Sequence, residues 1–213
     1  DIAREAGHTV TTLSPSLVPI TSDSPYPPAM QGLSLKNVAL RVVDREGRTV
    51  YEDFGEMMFT HFGITGPMVL SASAHLTDMA PGKYEARMNL KPALDEKTLD
   101  ARLCSDFAKY ANRNFANALG DLLPSGMIPV MVRRSGIDGE KKVNTITREE
   151  RRRLLACLKH FRVPLDGFRP IEEAIVTSGG IEVKEVDPKT MMSKKVPGLF
   201  FAGEILDVDA YTG

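Results

Sequence analysis

Tryptophan is absent from this 213-residue chain, and cysteine occurs only twice, at Cys104 and Cys157. The two cysteines lie far apart, in segments of helical pattern, and neither has a C-x-x-C partner. That excludes a disulfide framework and points to a reducing, cytoplasmic setting. No apolar run approaches the ~20 residues that cross a bilayer, so no membrane partner is expected. His8, His75 and His160 lack partners at metal-ligand spacing, and no metal is expected. Serine and cysteine nucleophile motifs are missing too. Charge of one sign is not in excess: the formal net charge is −1, which gives no overall pull toward nucleic acid or acidic lipid. The glycine fingerprint G-x-G-x-x-G for a dinucleotide occurs nowhere. Hydrophobic content of 42% with 26% charged residues is that of an ordinary soluble globular protein, long enough for one sizeable core or two small ones.

The remaining pattern is nested. Residues 1–33 read as a helix end at Ile2–Ala6, a strand-like LVPI at Leu17–Ile20, and a proline-rich loop through Pro25, Pro27 and Pro28. Residues 34–93 read as a β-rich module. Val38, Leu40 and Val42 alternate with Ala39, Arg41 and Val43, Arg45–Arg48 is a turn, and Thr49–Phe54 returns. Met57–Phe62 reads as a further strand, Pro67–Leu76 as a short helix, and Lys83–Leu90 as a last strand. Residues 94–167 turn helical. Asp95 is a candidate N-cap, and Leu99, Leu103, Phe107, Tyr110 and Phe115 follow nearly one helical face. Thr147 with Glu150 predicts a capping box that opens a helix with Leu154, Leu155, Leu158 and Phe161 on its apolar side. Residues 168–213 return to strands, at Glu173–Thr177, Ile181–Val186 and Leu199–Ala202. The expected class is α+β: a small antiparallel, barrel-like β module and a cluster of three or four helices, enclosed by two flanks.

Four stretches carry candidate chemistry. In the tail GLFFAGEILDVDAYTG, an apolar run breaks into Gly203-Glu204, with Asp207 and Asp209 close behind. Carboxylates there accept hydrogen bonds from hydroxyls but repel phosphate. The pattern alone favours an acidic loop after a core strand. Thr177-Ser178-Gly179-Gly180 lets the chain pass close to a flat ring, or simply turn a hairpin between Ile175-Val176 and Ile181–Val183. Thr60–Pro67 could present a helix start to an anion, with His61 as an acid or base, or be a packed corner. Between Arg133 and Arg169 lie eleven basic and five acidic residues, an excess of +6. Docking of a phosphate competes there with a solvated helix face of Glu/Arg pairs. Only Phe161 and Phe168 are aromatic in that stretch, so nucleic acid is not the expected partner.

GEMMFTHFGITGP at Gly55–Pro67, VTSGGIEV at Val176–Val183 and the tail from Gly198 resemble, in this order, the YhiN/BaiN-like flavoproteins, also called aminoacetone-oxidase-like. The resemblance spans almost the whole chain. It implies a fragment comprising the insert domain of an FAD-dependent, NAD(P)H-linked oxidoreductase and the flanks of an incomplete α/β FAD domain, inactive alone. The insert would cover the flavin and shape the pocket for a small-molecule substrate. Cofactor contacts would come from Thr177, Ser178, Gly179, Gly180, Gly203, Glu204, Asp207, Asp209, Thr212 and Gly213, with His61 a pocket candidate. The abrupt ends at Asp1 and Gly213 fit that expectation. The competing reading is an interaction module that binds a protein or nucleic acid through the Arg-rich helical region.

Overall fold

The structure, a computed structural model, describes residues 2–208. Two compact units emerge: Asp1–Pro19 with Phe168–Gly213, and Ile20–Gly167. The leading stretch of the first unit supplies α1 (Ile2–Glu5) and β1 (Ser14–Ser16).

The second unit is an antiparallel sheet with helices. Its elements are β2 (Ile20–Thr21), α2 (Tyr26–Ala29), β3 (Ser34–Asp44), β4 (Thr49–Phe59), β5 (Gly63–Thr65), α3 (Pro67–Ser73) and β6 (Tyr84–Asn89). They are followed by α4 (Glu96–Lys109), α5 (Phe115–Ala118), α6 (Ile128–Ser135), α7 (Arg148–Lys159), β7 (Phe161–Leu165) and β8 (Gly167–Phe168). The strand order is β7-β6-β3-β4-β5-β2-β8. This is the expected α+β architecture.

Alternation decides β3. Val38, Leu40 and Val42 are buried while Arg41 is exposed, as a strand with one wet face requires. The stretch from Met57 is not a separate strand. β4 runs unbroken from Thr49 to Phe59, because register shifts at Leu35/Val38 and Val42/Val43 bend the β3–β4 pair without ending it. Glycine settles the next corner. A side chain at Gly63 would put its Cβ 2.1 Å from the Ile20 carbonyl oxygen, and one at Gly66 would sit 2.9 Å from Met57 Cα. Both glycines let β5 lie flat against its neighbours.

In the helices, the Asp95 carboxylate accepts from Thr98 N–H at 2.7 Å, and the Thr147/Glu150 capping box forms as expected. Leu99, Leu103, Leu154 and Leu158 are fully buried, each contributing about 1.5–3 kcal/mol by leaving water. Two expectations fail. The face from Leu99 to Phe115 belongs to two helices, since α4 stops at Lys109 and Phe115 opens α5 after Asn114 pairs with Lys142. Phe161 is not on α7 but begins β7, whose side chains alternate buried and exposed through Leu165. Pro164 fits there because β7 is an edge strand in this order and needs no second ladder. Arg134 stacks its guanidinium 4.5 Å from the Phe161 ring and 4.8 Å from Tyr26.

In the first unit, β9 (Val176–Ser178) pairs antiparallel with β1, Ser14 opposite Ser178 and Ser16 opposite Val176. The Gly179-Gly180 hairpin between Ile175-Val176 and Ile181–Val183 is therefore not formed. Ile181 instead bridges Val10 on one side and Leu206 on the other. Val183–Glu185 is a 3-10 turn, and of Leu199–Ala202 only Phe200 bridges, to Met192. Those segments fall short of strands because each meets a partner over a single bridge. Ala3, Ile181, Val186, Phe201 and Leu206 form the core, while Phe200 is 60% exposed.

Candidate functional site

The first unit holds a cleft of about 390 Å³ whose walls include Ile2, Leu13, Thr177, Gly179, Gly180 and Ile205. Glu204 stands on the same wall. Three backbone segments build it side by side. Thr11 N–H donates to Gly180 O at 2.8 Å, Glu182 N–H to Thr9 O at 3.0 Å, and Asp207 N–H to Ile181 O at 2.9 Å. The glycine pair and the tail, 23 residues apart in sequence, thus become neighbours through Ile181 N–H and Ile205 O at 2.8 Å.

Gly179 and Gly180 are explained by this packing. With φ of +90° and +153°, a Cβ would lie 2.3 Å from Thr12 O and 2.6 Å from Ile205 O respectively. The close approach that glycine permits is to the protein's own backbone. Gly203 differs: its φ is +79°, and nothing lies within 4 Å of where a Cβ would stand. Thr177 lines the cleft opposite Pro15 in the β1–β9 ladder, and Ser178 is opposite Ser14. Asp207 is half-buried and does not line the cleft. Asp209, Thr212 and Gly213 lie outside the described residues.

The donor set of the cleft can be matched to a flavin. Apolar side chains and glycine backbone suit a flat ring, and the Glu204 carboxylate suits ribityl or sugar hydroxyls. No lysine or arginine lines it, so among the described residues it offers no cation to a pyrophosphate. The residues fit the ring-and-polyol end of FAD and leave its phosphates to other groups.

Sequence reasoning missed a second constellation in the same unit. His8 Nδ1 is 3.0 Å from Glu185 Oε2, and its Nε2 is 2.7 Å from Ser193 Oγ. Glu185 also accepts from Thr9 N–H, the Thr9 hydroxyl and Lys195 Nζ. The Lys195 ammonium first, and the Thr9 backbone N–H next, hold the Glu185 carboxyl down to about 2. The partners lie some 180 residues apart, so no local spacing could have revealed them.

His61 is exposed on the bend between β4 and β5, its ring edge-on to Phe62 at 5.0 Å. The Arg-rich helical stretch is largely self-paired. Arg151 bonds Asp100, Lys141 bonds Glu150, and Arg153 donates to Ser135 O. The Lys141 ammonium, then the Thr147 backbone, hold Glu150 down to about 2. Burial pushes the Cys157 thiol up, whereas Cys104 is exposed. No helix among the described residues is long and apolar enough to cross a membrane.

Residues 14–176 match the family model described as HI0933-like protein barrel and H2TH domain. Among curated proteins, the ribosomal RNA dihydrouridine synthase of Escherichia coli (strain K12) is 30% identical over 213 residues, covering 100% of this chain and 50% of that protein. The one from Haemophilus influenzae is 28% identical, with 50% of it covered. The 3-dehydro-bile acid delta(4,6)-reductase of Clostridium scindens is 27% identical, with 52% covered. The chain spans about half the length of these relatives. It belongs to the HI0933-like barrel and H2TH family, among the YhiN/BaiN-like flavoproteins.

Proposed function

We propose that this chain is the insert unit and return flank of an FAD-dependent reductase that takes its electrons from NAD(P)H in the cytoplasm. The observation that carries the reading is the cleft in which Thr177, Gly179, Gly180 and Glu204 meet. Thr177 and the glycine backbone would border the flavin ring, and Glu204 would accept from a ribityl or sugar hydroxyl. Gly203, Ser178, Asp207, Asp209, Thr212 and Gly213 would complete that border. Bound flavin would supply the hydride chemistry, and the protein the orientation and the exclusion of water.

The relatives' names narrow the reaction class. Forming a dihydrouridine and reducing a delta(4,6) unsaturation both saturate a carbon–carbon double bond. We infer the same class here, with His61 a candidate for the substrate pocket. The interaction-module reading through the Arg-rich helices is the weaker one, because Arg151, Arg153 and Lys141 already have partners.

FAD titration of the full-length protein and of this chain, followed by flavin absorbance and fluorescence, is the test. Uptake by the full-length protein alone is expected. Tight uptake by this chain would mean the site lies within these residues, and no uptake by either would remove the flavoprotein reading.

A further inference from the structure

The outward face of the β4-β3-β6-β7 sheet carries a row that no stretch of sequence shows. Arg41 stands opposite Arg87, and Arg87 opposite Arg162, on three neighbouring strands. Glu52 on β4 closes the row, opposite Arg41. Like charges directly opposed weaken a sheet, a cost that Glu52 beside Arg41 and Glu85 beside Arg87 offset. Next to them, two residues along each strand, lie Phe54 opposite Ala39 and then Asn89. Phe54 is 57% exposed, and no other large hydrophobic side chain of the Ile20–Gly167 unit is so exposed among the described residues. A shallow cleft of about 260 Å³ joins Arg41, Arg87, Asn89, Lys159 and His160 on this face.

We propose that this face binds a single-stranded segment of RNA, with Phe54 as a stacking platform and Arg41, Arg87 and Arg162 on consecutive phosphates. The inference deepens the reductase reading and rests on it: of the two saturations that the relatives' names describe, it takes the one carried out on ribosomal RNA. The row spans about 10 Å across strands ~4.8 Å apart. Arginine is the suitable cation, because its planar fork meets phosphate oxygens in pairs. Arg41 now bonds Glu52 at 3.0 and 3.2 Å, and Arg87 bonds Glu85 at 2.7 Å. The Arg41–Glu52 pair is exposed and holds little energy against an incoming phosphate, whereas Arg87 and Glu85 are half-buried. Arg162 is exposed. A single strand fits better than a duplex, since an aromatic ring reaches a base only when that base is unstacked from its neighbours.

The test uses full-length protein and a fluorescein-labelled, uridine-containing 12-nucleotide RNA, with anisotropy followed from low to moderate salt. R41A/R87A/R162A should weaken binding at least tenfold and flatten the log–log salt slope by about 2, at roughly 0.7 per phosphate on a single strand. F54A should weaken binding about tenfold with the slope unchanged. R148A/R152A, on α7, should bind as the parent does. Melting curves and flavin uptake are read on the same samples. No RNA binding by a protein that takes up flavin overturns this surface and leaves the reductase standing. RNA binding without flavin uptake does the reverse. Loss in R148A/R152A but not in the sheet-face variant moves the interface to the helices and overturns the proposal. So does equal displacement of the RNA by polyglutamate, which would make the partner an acidic protein.

Discussion

His8 Nε2 lies 2.7 Å from Ser193 Oγ, and both side chains are buried. With Glu185 on Nδ1, the connectivity is that of a serine hydrolase triad. The serine's other contacts argue otherwise. Its Oγ accepts from Lys195 N–H at 3.0 Å and Val196 N–H at 2.8 Å, which occupies both lone pairs. Its proton therefore points at Nε2, and Nδ1–H donates to Glu185. An oxygen so enclosed is an anchor, tying the turn after α1 to the loop at Ser193.

Ser193→Ala removes that anchor and leaves Nε2 buried without its donor. A loss of about 1–3 kcal/mol in unfolding free energy is expected by chemical denaturation. An esterase assay with an activated ester should show nothing above buffer for either protein. Saturable turnover lost in the variant would restore the catalytic reading.

Stability should fall in acid through two carboxylates. Glu185 and Glu150 both sit at about 2 in the folded chain, against about 4.3 unfolded. A depressed carboxyl stabilises above the unfolded value, and that contribution fades as pH falls toward the folded one. Glu185→Gln should melt below the parent at pH 7, with the gap closing between about pH 4.3 and about 2. A gap that stayed constant over that window would show that the charge of Glu185 is not what matters.

Glycine substitutions should separate packing from ligand approach. Gly179→Ala forces a Cβ onto the Thr12 carbonyl at positive φ, and a loss of about 2 kcal/mol or more is expected. Gly203→Ala meets open space and should cost only the left-handed backbone penalty, about 1–2 kcal/mol. If Gly203 borders a ligand, the full-length G203A protein should still lose flavin affinity. Equal destabilisation of the two variants would contradict the assignment.

Thiol labelling should discriminate the cysteines. Cys104 is exposed on α4, while burial raises the Cys157 thiol away from its reactive thiolate. Iodoacetamide at pH 8 should modify Cys104 first, read by peptide mass mapping. Faster labelling of Cys157 would place it in a more open setting than the fold gives it.

Local signals carried far into the fold. The alternation at Val38–Val42, the Asp95 cap and the Thr147/Glu150 box were legible because each involves residues within a few positions of one another. The motifs that resemble the flavoproteins identified the family for the same reason. What failed were features owned by distant partners. Phe161 looked helical by spacing with Leu154 and Leu158, but its strand pairing with Met88 decided otherwise. Gly179-Gly180 looked like a hairpin until Val176–Ser178 paired with Ser14–Ser16, about 160 residues away.

The sequence by itself determined the class, the caps and the order of β module before helices, since hydrophobic period and capping chemistry act within one or two turns of chain. Only the tertiary structure decided the chemistry-bearing neighbourhoods. His8 with Ser193, Gly180 with Ile205, and the Arg41–Arg87–Arg162 row each join segments whose approach depends on which strands pair and in what register. A shift of one residue would turn every side chain of a strand to its opposite face, and no local pattern encodes the partner against which that register is set.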